Sequence, residues 1–164
     1  LVMNENLEPV GTAGGNGPDM EVSFPDFHIV PEVTMRTGAD QERYESMPVI
    51  RHIEDFVRKV AHEETYGLFI APRIHRDTIV KFFMAWKQGG YYGESVKIVP
   101  LTVAQFREVV RSYSTRQDFQ PAELLRLFEQ IGEALHEVRS PQQWQDEIPV
   151  AIQKWRQQLE DSSS

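Results

Sequence analysis

Hydrophobic and polar residues alternate most regularly between Asp19 and Met35, with Pro25-Asp26 interrupting the run. Folding the halves together about that dipeptide gives a β-hairpin in which facing residues sum to 51, although Pro at the first turn position also admits a slightly longer loop. One face then reads Met20, Val22, Phe24, Phe27, Ile29, Pro31, Val33 and Met35. The other reads Asp19, Glu21, Ser23, His28, Val30, Glu32 and Thr34. A slip of one residue would bury the acids, so this period of two specifies both the strands and their register.

After Met35 the period becomes helical. Residues 46–64 carry a stripe of Val49, Ile53, Phe56, Val57 and Val60, with Ser46 as N-cap and Pro48 in the first turn. Gly67–Pro72 reads as a short buried strand. Asp77 then caps a helix to about Gln88, with Ile79, Val80, Phe83 and Trp86 inward and Gly89-Gly90 ending it. Ser95–Leu101 is another strand, and Thr102 with Gln105 forms a capping box opening a third helix. Pro121 starts a fourth, with Leu124, Leu127, Phe128, Ile131 and Leu135 on one side. Pro141 starts a last one carrying Trp144, Ile148, Ile152 and Trp155, interrupted at Pro149. Strands alternating with helices predict an α/β sandwich with a mixed sheet. Residues 11–18 form a glycine-rich loop without the Lys-Ser/Thr of a phosphate-binding loop, and read as a flexible approach to a strand.

Composition narrows the chemistry. The 164 residues suit one domain, and no apolar run approaches the ~20 residues of a membrane span. The absence of cysteine removes disulfides, thiolate zinc sites and cysteine nucleophiles, and is compatible with a reducing cytoplasm. A net charge of -8 argues against a protein that coats DNA unaided. Residues 1–50 hold nine acids against Arg36 and Arg43, which suits a hard-cation site and equally an ordinary acidic surface.

Within the hairpin register, Asp19 faces Glu32, and directly opposed Cβ atoms lie ~4.5–5.5 Å apart. Such a pair either belongs to a solvated polar face or chelates one hard cation such as magnesium.

Pro18-Asp19, twelve residues, then Glu32-Val33-Thr34 resembles the PD-(D/E)XK nuclease motif, with Thr34 in the lysine position. Asp19, Glu32 and Glu45, spaced by thirteen and thirteen, resemble the acidic triad of BstNBI-type nicking and type IIS enzymes. Gly67-Leu68-Phe69-Ile70-Ala71-Pro72, a helix, and Val96–Thr102 resemble the end of AlwI- and FokI-like cleavage domains; the matches span roughly residues 7–112.

The resemblance implies a restriction-endonuclease-like mixed sheet flanked by helices, with additional C-terminal helices. Residues 1–116 would be the nuclease core, 117–160 a helical extension packed on it, and 161–164 a disordered tail. It implies magnesium-dependent hydrolysis of DNA phosphodiesters, with manganese as a substitute. Asp19, Glu32 and Glu45 would be the metal ligands and Asp19, Glu32, Thr34, Glu45 and His52 the catalytic set. Glu45 first, or else Arg36, Arg51 or His52, would take over from the lysine, and Gln41 is a further candidate near the ion. Family members carry a catalytic glutamate on a helix before the glycine loop, which is absent here or cut short at Leu1.

The implied protein is a prokaryotic, cytoplasmic cleavage domain of a type IIS-like restriction or nicking enzyme, with no membrane association. Its partners would be double-stranded DNA, a separate recognition domain or subunit, and a transient homodimer or heterodimer mate on DNA. The exposed sides of helices 46–64 and 75–88, with Arg51, Glu54, Asp55, Arg58 and Lys59, would supply that contact. The alternatives are an inactive nuclease-fold interaction module and a PD-(D/E)XK nuclease of another defence or repair system. Tyr91-Tyr92 reads as a packed loop pair, and Arg73, His75, Arg76, Lys81 and Lys87 as the main basic cluster.

Overall fold

In a computed structural model, the described residues are 20–162, except 115, 117 and 119, together with the backbone of Val2–Met3 and Pro9–Gly11. Asp19 and residues 12–18 of the glycine-rich segment lie outside them. The hairpin forms in the expected register: β3 (Glu21–Ser23) runs antiparallel to β4 (His28–Val33), with Val22 facing Ile29 and Ser23 facing His28. Its turn is closed by the Phe24 N–H donating to the Phe27 carbonyl at 2.9 Å, and the two rings stack at 4.7 Å.

With β1 (Val2–Met3) and β2 (Pro9–Gly11), Gly11 of the glycine-rich segment falling in the latter, the described strands form one mixed sheet. Its order is β2-β1-β3-β4, then β5 (Thr65–Ala71) and β6 (Ile98–Thr102). The pairs β4–β5 and β5–β6 are parallel, as helical crossovers require.

Both faces of this sheet are covered, so the alternation in β4 does not separate core from solvent. His28, Glu32 and Thr34 are buried along with Phe27 and Ile29, whereas Val33 and Met35 of the apolar set are 54% and 78% exposed because the strand ends there. A helical segment, α1 (Ala39–Gln41), a π turn (Glu42–Ser46) and α2 (Met47–Lys59), lies over the polar face. The His28 ring meets Phe56 edge-on at 5.5 Å, and Gly67 lies under Ile53, whose side chain would collide with any Cβ there. On the opposite face Tyr66 meets Phe128 at 5.4 Å and Trp86 at 6.2 Å.

The remaining helices are α3 (Arg76–Gln88), α4 (Val103–Ser114), α5 (Pro121–Glu137) and α6 (Pro141–Ser162). The cap of α3 is His75, whose Nδ1 accepts from the Asp77 N–H, and Val80 is exposed while Phe82 takes the buried place. The Thr102–Gln105 box is present in both directions: the Gln105 Oε1 accepts from the Thr102 N–H at 2.8 Å, and the Thr102 Oγ1 from the Gln105 N–H at 3.2 Å. Helix α6 passes through Pro149 without a break and includes Asp161 and Ser162, correcting both the expected interruption and the expected tail. Trp144 and Trp155 anchor it, their indole N–H groups donating to the Ile131 and Glu123 carbonyls of α5. Trp144 also packs against Phe83 and Trp86 of α3, so one hydrophobic core joins the sheet to the C-terminal helices.

Candidate active site

The seam between the polar face of the sheet and the chain that runs back over it is cross-linked by carboxylates paired with Arg, Lys and His side chains. Arg36 Nε lies 2.7 Å from Glu45 Oε1, and His52 Nδ1 lies 2.8 Å from Glu32 Oε1. Lys59 Nζ lies 2.8 Å from Glu21 Oε2, and His28 Nε2 lies 2.7 Å from Glu63 Oε2. Along β4 and its exit the numbers fall from Arg36 through Glu32 to His28 as their partners rise from Glu45 through His52 to Glu63, because the chain runs back over the strand that precedes it.

Glu32 is the buried member, 7% exposed near the carboxyl end of β4. A carboxylate taken out of water needs donors, and the His52 Nδ1–H supplies one. His52 reaches it because seven residues from Glu45 keep both on one side of the helix, and because Pro48 shapes the turn between them. Pro48 has no N–H, and in a regular helix its ring would press on the carbonyl of Tyr44. The chain widens to a π turn directly before it, with the Ser46 hydroxyl donating to the Glu42 carbonyl at 2.6 Å. Ser46 is therefore a residue within the helical segment and not its N-cap.

Thr34 is buried at the corner after β4, where its Oγ1 accepts from the Arg36 N–H at 3.1 Å. Gln41, fully buried, is committed to backbone: its Nε2 donates to the Arg36 carbonyl at 2.9 Å and the Arg73 carbonyl at 2.8 Å, while its Oε1 accepts from the His75 N–H at 2.7 Å. It ties the exits of β4 and β5 to the start of α3, which corrects its place as a candidate near the ion. No sequence signal marks this role, since Gln is an ordinary helix residue.

Arg51 is off the seam, lining a groove with Met47, Ile50, Tyr91 and Tyr92. Glu54, expected on an exposed contact face, is buried; its Oε1 accepts from the Tyr92 N–H at 3.0 Å. Tyr91 and Tyr92 pack edge to face at 5.1 Å, and Arg58 lies over the Tyr92 ring at 4.3 Å. Lys87 leaves the basic cluster to donate to the Val138 carbonyl at 3.1 Å, whereas Arg73, His75 and Arg76 line a second groove with Thr37 and Gly38.

The structure thus brings Glu32 to His52 and Glu45 to Arg36, with Thr34 between them at the strand end. Among the described residues no three His, Asp or Glu side chains converge on one point. Asp19, the residue that the hairpin register sets opposite Glu32, lies outside the described residues. At the parallel part of the sheet these groups sit towards the carboxyl ends of the strands, where ligands bind in α/β folds.

Comparison with known proteins gives two likenesses. The family model described as AlwI restriction endonuclease matches residues 1–109. Among solved structures, the small subunit of the heterodimeric restriction endonuclease R.BspD6I is similar, with a TM-score of 0.65 and 22% identity over 98% of this chain and 76% of that one. At that identity the likeness speaks for the fold. No curated protein matches. Among the described residues no helix is long and apolar enough to cross a membrane.

Proposed function

This chain belongs to the AlwI restriction endonuclease family, and from that premise we propose that it is a magnesium-dependent endonuclease hydrolysing DNA phosphodiester bonds, the cleavage part of a type IIS-like restriction or nicking enzyme. The observation that carries this reading is the buried Glu32 carboxylate, held by His52 near the carboxyl end of β4. A buried carboxylate on a rigid strand is the kind of oxygen donor a small hard cation takes, and Glu32 fits that part. Glu32 and Asp19 would hold it, with Glu45 as a third carboxylate.

When bound, magnesium supplies a Lewis acid for the phosphoryl oxygen and a more acidic water. The chain's own contribution is orientation. His52 fixes one oxygen of Glu32, so the carboxylate keeps its direction as the substrate arrives. Thr34 shapes the corner that presents Arg36, which offers a positive charge where the family motif has lysine. Arg73 and Arg76 lie beyond the exit of β5 and suit the DNA backbone, fixing position and not sequence. An acidic chain needs help to reach DNA, so recognition falls to a separate domain or subunit, in keeping with the heterodimeric enzyme whose small subunit shares this fold.

Asp19→Asn and Glu32→Gln test the proposal in a plasmid assay with the partner subunit present. Both are expected to lower magnesium-dependent cleavage at least ~100-fold with unchanged circular dichroism. Retained cleavage by either would refute it. A second reading, an inactive nuclease-fold interaction module, draws on Thr34 in the lysine position. It predicts no cleavage by the wild-type chain under any divalent ion.

A further inference from the structure

Arg36 lies three residues beyond the end of β4, with its Nε 2.7 Å from Glu45 Oε1 and its guanidinium 5.0 Å from the centre of the Tyr44 ring. Its side chain is 52% exposed, against 25% for Glu45, so the guanidinium can leave this seat into solvent without displacing packed atoms. Glu45 stands in a π turn that also holds Glu42, and Asp40 lies just before it. Three acids in six residues repel one another unless cations sit among them. Lys81 stands 3.9 Å from Glu42, and Arg36 takes Glu45.

We infer that Arg36 is the resting counter-ion of Glu45, a positioning residue that occupies this carboxylate until a divalent cation displaces it. This deepens the reading of Glu45 as a metal ligand and rests on it. A guanidinium on a flexible stem, in a half-open ion pair, holds its partner weakly. A divalent ion brings twice the charge to the same oxygens, and at equal distance and dielectric twice the attraction. The two cations compete for one carboxylate. The metal-free protein thus keeps its acidic turn neutralised, and ion entry costs only the exchange of one partner for another.

The test is calorimetric titration of the purified chain with manganese, which requires no cleavage. Five proteins are compared: wild type, Arg36→Gln, Glu45→Gln, the double variant, and Glu32→Gln. Removing the competitor should tighten manganese binding about two- to five-fold, the range of a half-exposed ion pair. That gain should vanish in the Glu45→Gln background, whether the double variant binds as Glu45→Gln does or neither binds. A gain that persists without Glu45 would mean only the loss of a nearby positive charge, and would overturn the inference. Unchanged or weakened binding by Arg36→Gln would overturn it too, while leaving the metal site standing. Wild-type chain that fails to bind manganese, or binds it as well after Glu32→Gln, would remove the proposed metal site and this inference with it.

Discussion

His52 and Lys59 stand one seven-residue repeat apart on α2, and each closes a 2.8 Å contact with a carboxylate of the sheet. Their surroundings differ. Glu32 is buried, so losing its histidine donor leaves a desolvated carboxylate short of a partner, at a cost of about 1–3 kcal/mol. Lys59 is 62% exposed, and an open pair of this kind is worth about 1 kcal/mol or less. His52→Ala should therefore lower the urea midpoint clearly and slow cleavage, whereas Lys59→Ala should barely move either. Equal effects would show that His52 has no special hold on Glu32.

Tyr66 supplies a pH marker: burial, with Glu64 beside it, pushes its phenol well above the ordinary value. Its folded pKa exceeds the unfolded one, so the tyrosine's contribution is complete below pH ~10 and is lost progressively as pH rises above it. Melting curves between pH 8 and 11 should show a fall at the alkaline end that Tyr66→Phe reduces.

At the scale of elements, local grammar was readable where one stretch of chain decides its own structure. The Thr102–Gln105 box forms as read, and Thr102→Ala should cost about 1 kcal/mol, seen as a drop of roughly 2–4 °C in melting temperature. The hairpin register was legible for the same reason, since alternation alone distinguishes the two faces of β3 and β4. What alternation does not reveal is what covers each face. His28, Glu32 and Thr34 read as a polar, water-facing row, yet all three are buried: Phe56 and His52 of α2 meet His28 and Glu32, and Thr34 accepts from the Arg36 N–H. Ser46-Met47-Pro48 carries the local marks of a helix start, but the chain is already helical from Ala39, and the π turn absorbs the proline. The roles of Gln41 and Glu54 differ from those expected because each satisfies backbone groups distant in sequence, a tertiary fact without local trace. Of the candidate site, the pairing of Glu32 with His52 and of Glu45 with Arg36 lies on the seam, and Arg51 does not.

For the nuclease proposed, the whole molecule sets the number of cuts. One hydrolytic site acts on one strand, because the second scissile phosphate has the opposite polarity, so a double-strand break needs another site related by the DNA's pseudo-twofold or carried by a different subunit. With Glu54 buried, the charges left on the exposed side of α2 are Arg51, Asp55, Arg58 and Lys59, a set better suited to steering than to tight association. Sedimentation of the isolated chain should therefore give a monomer. Supercoiled plasmid should accumulate nicked circles, with linear product appearing only at high protein or with a partner. A stable dimer without DNA, or linearisation first order in protein, would contradict this.

Helix α6 bears on how the chain comes into being. Proteins leave the ribosome N-terminus first, and α6, with Trp144 and Trp155, emerges after the other elements described. Until it does, Phe83 and Trp86 lack the Trp144 ring against them, and α5 has Tyr66 of the sheet to pack on but not α6. The strand that carries Glu32 is therefore made well before the aromatic face behind its sheet can be sealed. A nuclease of the kind proposed would then complete this core only after α6 has been made.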